Sequence, residues 1–174
     1  MHKCASYTLT ELASSNKYLG ATPGIIQVLH TWGQEMNYHP HIHCIITGAG
    51  LTKIKQLKKS SNKFFIPVKV LGKVFRGKFL STIESLYRSK KLIFSNKDKK
   101  FNRAYYWSGF RDSLYKKDWI PYIKETFNGF GNAIDYLGRY THRIAISNTR
   151  IKRVTKTDTT FVAKDYKTGL SKEI

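Results

Sequence analysis

The chain of 174 residues has the length of about one domain, and its 41% hydrophobic and 14% aromatic content suffices for a buried core. Thirty-one Lys and Arg against eleven Asp and Glu give a formal net charge of +20, which attracts polyanions and predicts nucleic acid as the partner. No long apolar run, apolar leader or Cys-x-x-Cys pair is present, so we expect a soluble intracellular protein without a membrane span, cysteine zinc site or disulfide scaffold.

Charge and histidine are distributed unevenly along the chain. Residues 1–50 have a net charge of zero and contain five of the six histidines. Residues 51–120 carry nineteen basic and four acidic residues, and residues 121–174 carry ten and five. Because lysine and arginine bind phosphates whereas histidine binds metals, we expect backbone binding and chemistry to lie in different segments.

The first third of the chain is predicted to form a helix and a β-hairpin. Apolar residues at helical spacing cover Ser6–Ser14, and β-branched residues predict a strand over Gly24–Trp32. After a loop over Gly33–Pro40, a second strand is predicted over His41–Thr47, which Gly48–Gly50 should stop. The short connection favours antiparallel pairing of the two strands.

The remaining elements follow from apolar spacing and turn residues. In chain order they are an amphipathic helix with a basic outer face over Val70–Lys91, a solvated loop over Asn96–Asn102, a helix over Arg103–Lys116, an edge strand over Trp119–Thr126, a turn over Phe127–Gly131, a helix over Ala133–His142 capped by Asn132, and strands over Ile144–Val154 and Thr160–Tyr166. This order predicts an α+β fold. A central, mostly antiparallel sheet of four or five strands should carry the histidine-rich strand and be flanked by helices.

The densest chemical cluster is the run His39-Pro40-His41-Ile42-His43. Residues two apart in a strand face the same side, so His41 and His43 would present two imidazoles together, which is half of a metal site. Random placement of six histidines gives about 0.2 such pairs in a chain of this length. A packing role for both histidines is therefore the alternative.

A third metal ligand is predicted on the preceding strand. His30 lies eleven residues before His41, where a hairpin can bring it to the same face. The alternative donors are Gln34, Glu35 and His39. His30 can instead be a structural histidine bonded to Trp32 or to the backbone.

A second cluster lies on the helix predicted over Ala133–His142. Tyr136 and Tyr140 are four residues apart, so their phenols share one helix face, and Arg139 and Arg143 share an adjacent face. Phenols at this spacing most often fill a core. They can also attack a phosphodiester when arginine or a metal ion stabilises the charge that develops on the phosphate.

Four segments have the residues and the order typical of one family. They are 30–34 (HTWGQ), 39–43 (HPHIH), 68–80 (VKVLGKVFRGKFL) and 136–148 (YLGRYTHRIAISN). Together they resemble the two-tyrosine insertion-sequence transposases of the HUH endonuclease superfamily, over nearly the whole chain. The resemblance implies a transposase that nicks and transfers single-stranded DNA at element ends by a rolling-circle-like route, through a 5′-phosphotyrosine.

The resemblance also implies roles for individual residues. His41 and His43 correspond to the HUH metal ligands, and Tyr136 and Tyr140 to the paired nucleophiles. It implies Mg²⁺ or Mn²⁺ and no nucleotide cofactor, although imidazole ligands alone suit zinc or a later transition metal better. Residues 1–174 are then a single catalytic domain, truncated relative to the family's N-terminal zinc-binding module and C-terminal tail. We expect it in the prokaryotic cytoplasm, bound to nucleoid DNA.

Basic and aromatic residues are the predicted DNA contacts. The phosphate-binding candidates are Lys73, Arg76, Lys78, Lys124, Arg139 and Arg143. Tyr105, Tyr106 and Trp107 are suited to stacking on bases and equally suited to a core.

Other functions compete with this interpretation. The main alternative is a non-catalytic basic nucleic-acid-binding module, in which the histidines pack and the tyrosines stack on bases or fill the core. A ribonuclease is weaker, because a nuclease that activates water does not explain paired tyrosines. A transposase built on metal-binding acids is disfavoured, since the eleven acidic residues form no compelling cluster.

Overall fold

A computed structural model describes residues 1–60, 66–123, 138, 145–165 and 168–174. The chain divides into two units, one of Met1–Ile25 with Ile46–Glu125 and one of Ile26–Ile45 with Thr126–Ile174. Among the described residues, no helix is long and apolar enough to cross a membrane.

The first unit contains three α-helices and a 3-10 helix. They are α1 His2–Ser14, α2 Val68–Arg88, the 3-10 helix Asn96–Asn102 and α3 Ala104–Lys116. Helix α1 packs on α2, and α2 contacts α3. The buried residues of α1 are Cys4, Thr8, Leu9 and Ala13, and the four-residue steps from Cys4 to Thr8 and from Leu9 to Ala13 are typical of a helix with one buried side. The three α-helices predicted in this region are confirmed to within four residues at each end.

The loop predicted over Asn96–Asn102 is wrong, because this segment forms a 3-10 helix. The aromatic ring of Phe101 anchors it, with ring centroids 5.9 Å from Phe94 and 4.9 Å from Phe110. Four charged residues among seven suggested a solvated loop, but one aromatic side chain with two partners fixes the segment against its neighbours.

A three-stranded sheet in the order β1-β2-β3 carries the histidines. Strand β1 covers Thr22–Trp32, β2 covers Tyr38–Leu51 and β3 covers Leu57–Lys59. The connection between β1 and β2 is too short for a parallel crossover, so the predicted antiparallel hairpin is confirmed. Strand β3 pairs antiparallel with the end of β2, where Gly50 lies opposite Lys58.

The prediction that Gly48–Gly50 stops the second strand is wrong, since β2 continues to Leu51. Gly50 is buried in the strand, and a Cβ at this position would lie 2.5 Å from the carbonyl oxygen of Thr22. Glycine is therefore required for close approach of the two backbones, not for a turn. Strand β3 was not predicted, because its three exposed side chains give no alternation of polar and apolar residues.

A second three-stranded antiparallel sheet belongs to the second unit. It consists of β4 Ile151–Val154, β5 Thr159–Lys164 and β6 Ser171–Glu173. Over the described residues, the strand predicted at Thr160–Tyr166 is confirmed as β5. The strand predicted at Ile144–Val154 is wrong in its described first half, where Asn148–Arg150 form a 3-10 helix. The hydroxyls of Ser147 and Thr149 hydrogen-bond to each other at 2.9 Å, a local interaction that competes with strand pairing.

The predicted central sheet of four or five strands is wrong, because the described residues form two sheets of three strands. One reason is that Trp119–Ile123, the described part of the predicted edge strand, forms no strand. The Trp119 ring lies 5.7 Å from Phe79, and the Trp119 carbonyl fits against α2 where Gly72 leaves no Cβ. Pro121 also lacks an N–H for sheet pairing. This segment covers α2 instead of extending a sheet.

The α+β class predicted from the sequence is confirmed by these helices and strands. The turn predicted at Phe127–Gly131 lies outside the described residues, as does the helix predicted at Ala133–His142 except for Gly138. The backbone of Gly138 is helical.

Candidate metal centre

Three histidines meet on one face of the β1–β2 hairpin. His30 lies in β1 and is 8% exposed, whereas His41 and His43 lie two residues apart in β2. One donor atom from each histidine lies within 4.8 Å of the donors of the other two, and the ring centroids are 4.8 to 5.5 Å apart. The hairpin thus brings together the three histidines predicted from the sequence, and this cluster can hold a metal ion.

Neighbouring groups orient two of the three rings. Nδ1 of His41 lies 2.7 Å from the backbone carbonyl oxygen of His39. A proton on Nδ1 is donated to this oxygen, which leaves Nε2 as the ligand atom. His30 stacks on Trp32, with centroids 5.0 Å apart and planes at 12°. His30 therefore makes the contact with Trp32 that was expected of a structural histidine. It also lies where it can be a metal ligand.

The environment favours the neutral form of His43. Burial, and after it the proximity of His41 and His30, lowers the pKa of His43 from 6.5 to about 4. A histidine must be deprotonated to bind a metal ion, and His43 is in this form at neutral pH.

We expect the metal-free protein to lose stability as the pH falls from about 6.5 to about 4. In this window the unfolded chain takes up a proton on His43 and the folded chain does not, so protonation favours unfolding. Denaturant unfolding at a series of pH values, with EDTA present, measures the effect. The His43→Gln variant should show a flatter profile over this window, and an unchanged profile would contradict the assignment.

Of the alternative donors for a third ligand, Glu35 and His39 are not part of the converging group. The Glu35 carboxylate forms an ion pair with Lys172 of β6 at 2.5 Å. The backbone oxygen of Gln34 accepts a hydrogen bond from Arg150, and the His39 side chain is exposed. Among the described His, Cys, Asp and Glu residues, the three clustered histidines form the group whose donors converge.

Arg150 connects the turn of the hairpin to the second sheet. Its Nε donates to the carbonyl oxygen of Val162 and its Nη2 to that of Gln34, both at 2.7 Å. Its guanidinium lies 5.8 Å from the centre of the Phe161 ring. Because Gln34 lies between β1 and β2, this link holds the histidine-bearing hairpin to β5. Sequence reasoning missed Arg150, since its hydrogen-bond partners are backbone atoms that no side-chain pattern reveals.

Replacing Arg150 with Gln should lower the free energy of unfolding by about 2 kcal/mol, the typical value for hydrogen bonds to a charged group. Two partly buried carbonyl groups would lose their charged donor at once. Denaturant unfolding gives this number, and Lys152→Gln is a matched control because Lys152 is exposed and forms no ion pair with a described residue. Equal losses in the two variants would show that Arg150 does not link the elements.

The predicted phosphate-binding residues of α2 differ in their surroundings. Nη1 of Arg76 donates to the carbonyl oxygen of Lys117 at 2.7 Å, and Lys78 forms an ion pair with Glu11 at 2.6 Å. Lys73 is exposed and has no ion-pair partner in the described part of the chain. The remaining predicted site residues lie outside the described residues: Lys124, Tyr136, Arg139, Tyr140 and Arg143.

The three aromatic residues proposed for base stacking separate into two groups. Trp107 is 5% exposed, stacks on Tyr87 at 4.3 Å and donates from Nε1 to Glu84 at 2.7 Å, so it belongs to the core. Tyr105 and Tyr106 are 82% and 44% exposed. Their rings are accessible to a partner.

Comparison with known proteins identifies relatives of the chain. The family model Y2_Tnp, described as "Putative transposase", matches residues 24–174. A curated protein of Sinorhizobium fredii, "Putative transposase y4qJ", is 36% identical over 170 residues, which are 97% of this chain and 43% of that protein. The chain therefore spans less than half the length of this relative. No solved structure matches the present chain significantly.

Proposed function

The chain belongs to the two-tyrosine (Y2) transposase family, of the rolling-circle HUH type, and from this premise we propose that it is a metal-dependent single-strand DNA endonuclease and strand transferase. The family implies DNA as the partner. The observation that carries the proposal is the convergence of His30, His41 and His43 on the hairpin within the matched residues. Single-stranded ends of the mobile element are the proposed substrate.

The clustered histidines are the proposed metal ligands. Their donors converge, and His43 is neutral at physiological pH, so the group fits a divalent cation. The family resemblance implies Mg²⁺ or Mn²⁺, and imidazole ligands favour Mn²⁺ over Mg²⁺, which prefers oxygen ligands. A divalent ion bound there would supply Lewis-acid stabilisation of the charge on the scissile phosphate.

Tyr136 and Tyr140 are the proposed nucleophiles. The phenol oxygen forms a bond to phosphorus while the bond from phosphorus to the 3′ oxygen breaks. The phenol loses its proton, and the leaving oxygen gains one, which gives a 5′-phosphotyrosine and a free 3′-hydroxyl. One phosphoester replaces another, so no nucleotide cofactor is needed. A second tyrosine four residues along the chain allows a second transfer before the first DNA end is released.

Basic side chains are the proposed phosphate contacts of this reaction. Arg139 and Arg143, next to the tyrosines in sequence, are suited to steady the reacting phosphate. Lys73 and Lys124 are proposed to contact the DNA backbone. Arg76 and Lys78 are included as well, although each already bonds within the first unit and therefore adds charge more than a new hydrogen bond.

Covalent adduct formation tests the proposal. The full chain is incubated with single-stranded oligonucleotides from the DNA that flanks its gene, labelled at the 3′ end, in Mn²⁺ or Mg²⁺. A denaturing gel should then show label at the mass of the protein, because the 3′ fragment keeps its 5′ phosphate on tyrosine. A 5′-labelled copy should give a shorter free fragment. Binding without an adduct in either metal would favour the non-catalytic nucleic-acid-binding module.

A further inference from the structure

We propose that the 3-10 helix Asn96–Asn102 and the start of α3 form a separate surface that binds single-stranded DNA. This lysine–tyrosine surface consists of Lys97, Lys99, Lys100, Arg103, Tyr105 and Tyr106. It belongs to the first unit, whereas the clustered histidines belong to the second. The inference rests on the proposed single-stranded substrate, but not on the tyrosine chemistry.

The cations of this surface are available to a partner. All four are exposed, and none forms an ion pair with a described residue. The nearby Asp98 carboxylate accepts a hydrogen bond from the Ser95 hydroxyl at 2.6 Å instead. Some other basic residues of this unit are engaged in ion pairs, as Arg88 and Arg111 are with Glu84. The seven residues 97–103 therefore carry four exposed cations and one carboxylate, which makes this short segment strongly positive.

An aromatic cluster fixes the backbone beneath these cations. Phe101 of the 3-10 helix packs against Phe94 and Phe110, and Phe94 lies 5.9 Å from the Trp107 ring. The Tyr87 hydroxyl donates to the carbonyl oxygen of Asn102 at 3.3 Å. A partner that binds here does not have to order the backbone first, so less conformational entropy is lost on binding.

Two tyrosines complete the surface at the start of α3. Tyr105 is 82% exposed and Tyr106 44% exposed, and their ring centroids lie 5.5 Å apart at an interplanar angle of 77°. An isolated exposed tyrosine is ordinary. Two accessible rings that directly follow four exposed cations, of which Lys100 also lies 5.3 Å from the centre of the Phe101 ring, match a ligand with phosphates and accessible base faces.

These features favour single-stranded DNA over other polyanions. A duplex keeps its bases stacked inside, so it would use the cations but gain little from the rings. An acidic protein would likewise use the cations and has no planar bases for the rings. The two predicted signatures are therefore a preference for single strands that depends on the tyrosines and a salt dependence that depends on the cations.

Fluorescence anisotropy measures both signatures on the full chain. Binding is measured in EDTA with the Tyr136→Phe, Tyr140→Phe variant as the parent, so that no cleavage occurs. The adduct assay tests the proposed chemistry separately, so a failure of that chemistry does not affect the binding result. The ligands are a mixed-sequence single-stranded oligonucleotide and its duplex. Circular dichroism confirms that each variant is folded.

Tyr105→Ala, Tyr106→Ala should weaken single-strand binding by about tenfold or more and leave duplex binding unchanged. Tyr105→Phe, Tyr106→Phe keeps both rings and should bind as the parent does. Unchanged single-strand binding in the Ala variant, or equal losses for both ligands, would overturn the proposal.

Replacing the four cations with Gln should make the salt dependence shallower. The magnitude of the slope of log affinity against log salt should fall by about 2 to 3, since each single-strand phosphate contact contributes about 0.7. The matched control removes four other exposed lysines, namely Lys53, Lys55, Lys152 and Lys156. A control effect as large as that of the surface variant would overturn the proposal, because general charge would then account for binding.

Discussion

Replacing both Tyr136 and Tyr140 with Phe is expected to reduce the covalent protein–DNA adduct by at least about 1,000-fold, which is below detection on a gel. Phenylalanine keeps the ring and removes the oxygen that would bond to phosphorus. Circular dichroism and DNA binding in EDTA should be almost unchanged, because neither the ring nor a charge is lost. The labelled adduct on a denaturing gel is the measurement.

The single replacements separate the two tyrosines. Each should lose one step of the reaction while the remaining phenol still forms an adduct, if the two act in sequence. Tyr38→Phe and Tyr122→Phe serve as controls, because these phenols are 83% and 90% exposed and would react first if any accessible tyrosine sufficed. An undiminished adduct in the double variant would assign the nucleophile to another residue.

The metal centre was predictable because its determinants are local. Strand periodicity places His41 and His43 on one face, and a short turn folds His30 of the preceding strand onto it. Neither step depends on a contact between distant parts of the sequence. The positions of Tyr136 and Tyr140 relative to these histidines depend on such contacts, so the sequence supports them only through spacing and family resemblance.

The arrangement of sheets was not predictable from the same patterns. Strand β3 is short and exposed, so it gives no hydrophobic signal, yet it pairs with β2 in the first sheet. The segment that begins at Trp119 has apolar residues suited to a strand, but the packing of Trp119 on α2 determines its conformation. Tertiary contacts override local propensity at both places.

Charge counting also failed to separate the lysines and arginines by role. The sequence predicted phosphate contacts from Arg76 and Lys78, whose side chains bond to Lys117 and Glu11. The same patterns predicted a solvated loop over Asn96–Asn102. In the structure this segment is a 3-10 helix whose cations are exposed. Only the pairing of each charge, which sequence does not report, distinguishes a structural cation from one that is open to DNA.

Removing a clustered histidine should abolish most of the metal affinity. Loss of a group that merely orients a metal ligand typically costs 10- to 100-fold, so we expect His41→Ala or His43→Ala to weaken Mn²⁺ binding by at least about 100-fold. Isothermal titration calorimetry measures this directly. His39→Ala is the comparison, because the His39 ring lies 5.0 Å from that of His41 but is not part of the converging group, and the backbone carbonyl that contacts His41 is kept. Equal losses in His39→Ala would refute the assigned ligand set.

His30 requires a different measurement, because it is buried and stacked on Trp32 and its loss should destabilise the protein even without metal. The decisive quantity is the additional stability that the metal confers, which for the parent is about 2.7 kcal/mol at a metal concentration 100 times the dissociation constant. If His30 is a ligand, His30→Ala should lose most of this increment. A purely structural His30 would lower the stability of the metal-free protein and leave the increment intact, so unfolding with and without Mn²⁺ distinguishes the two roles.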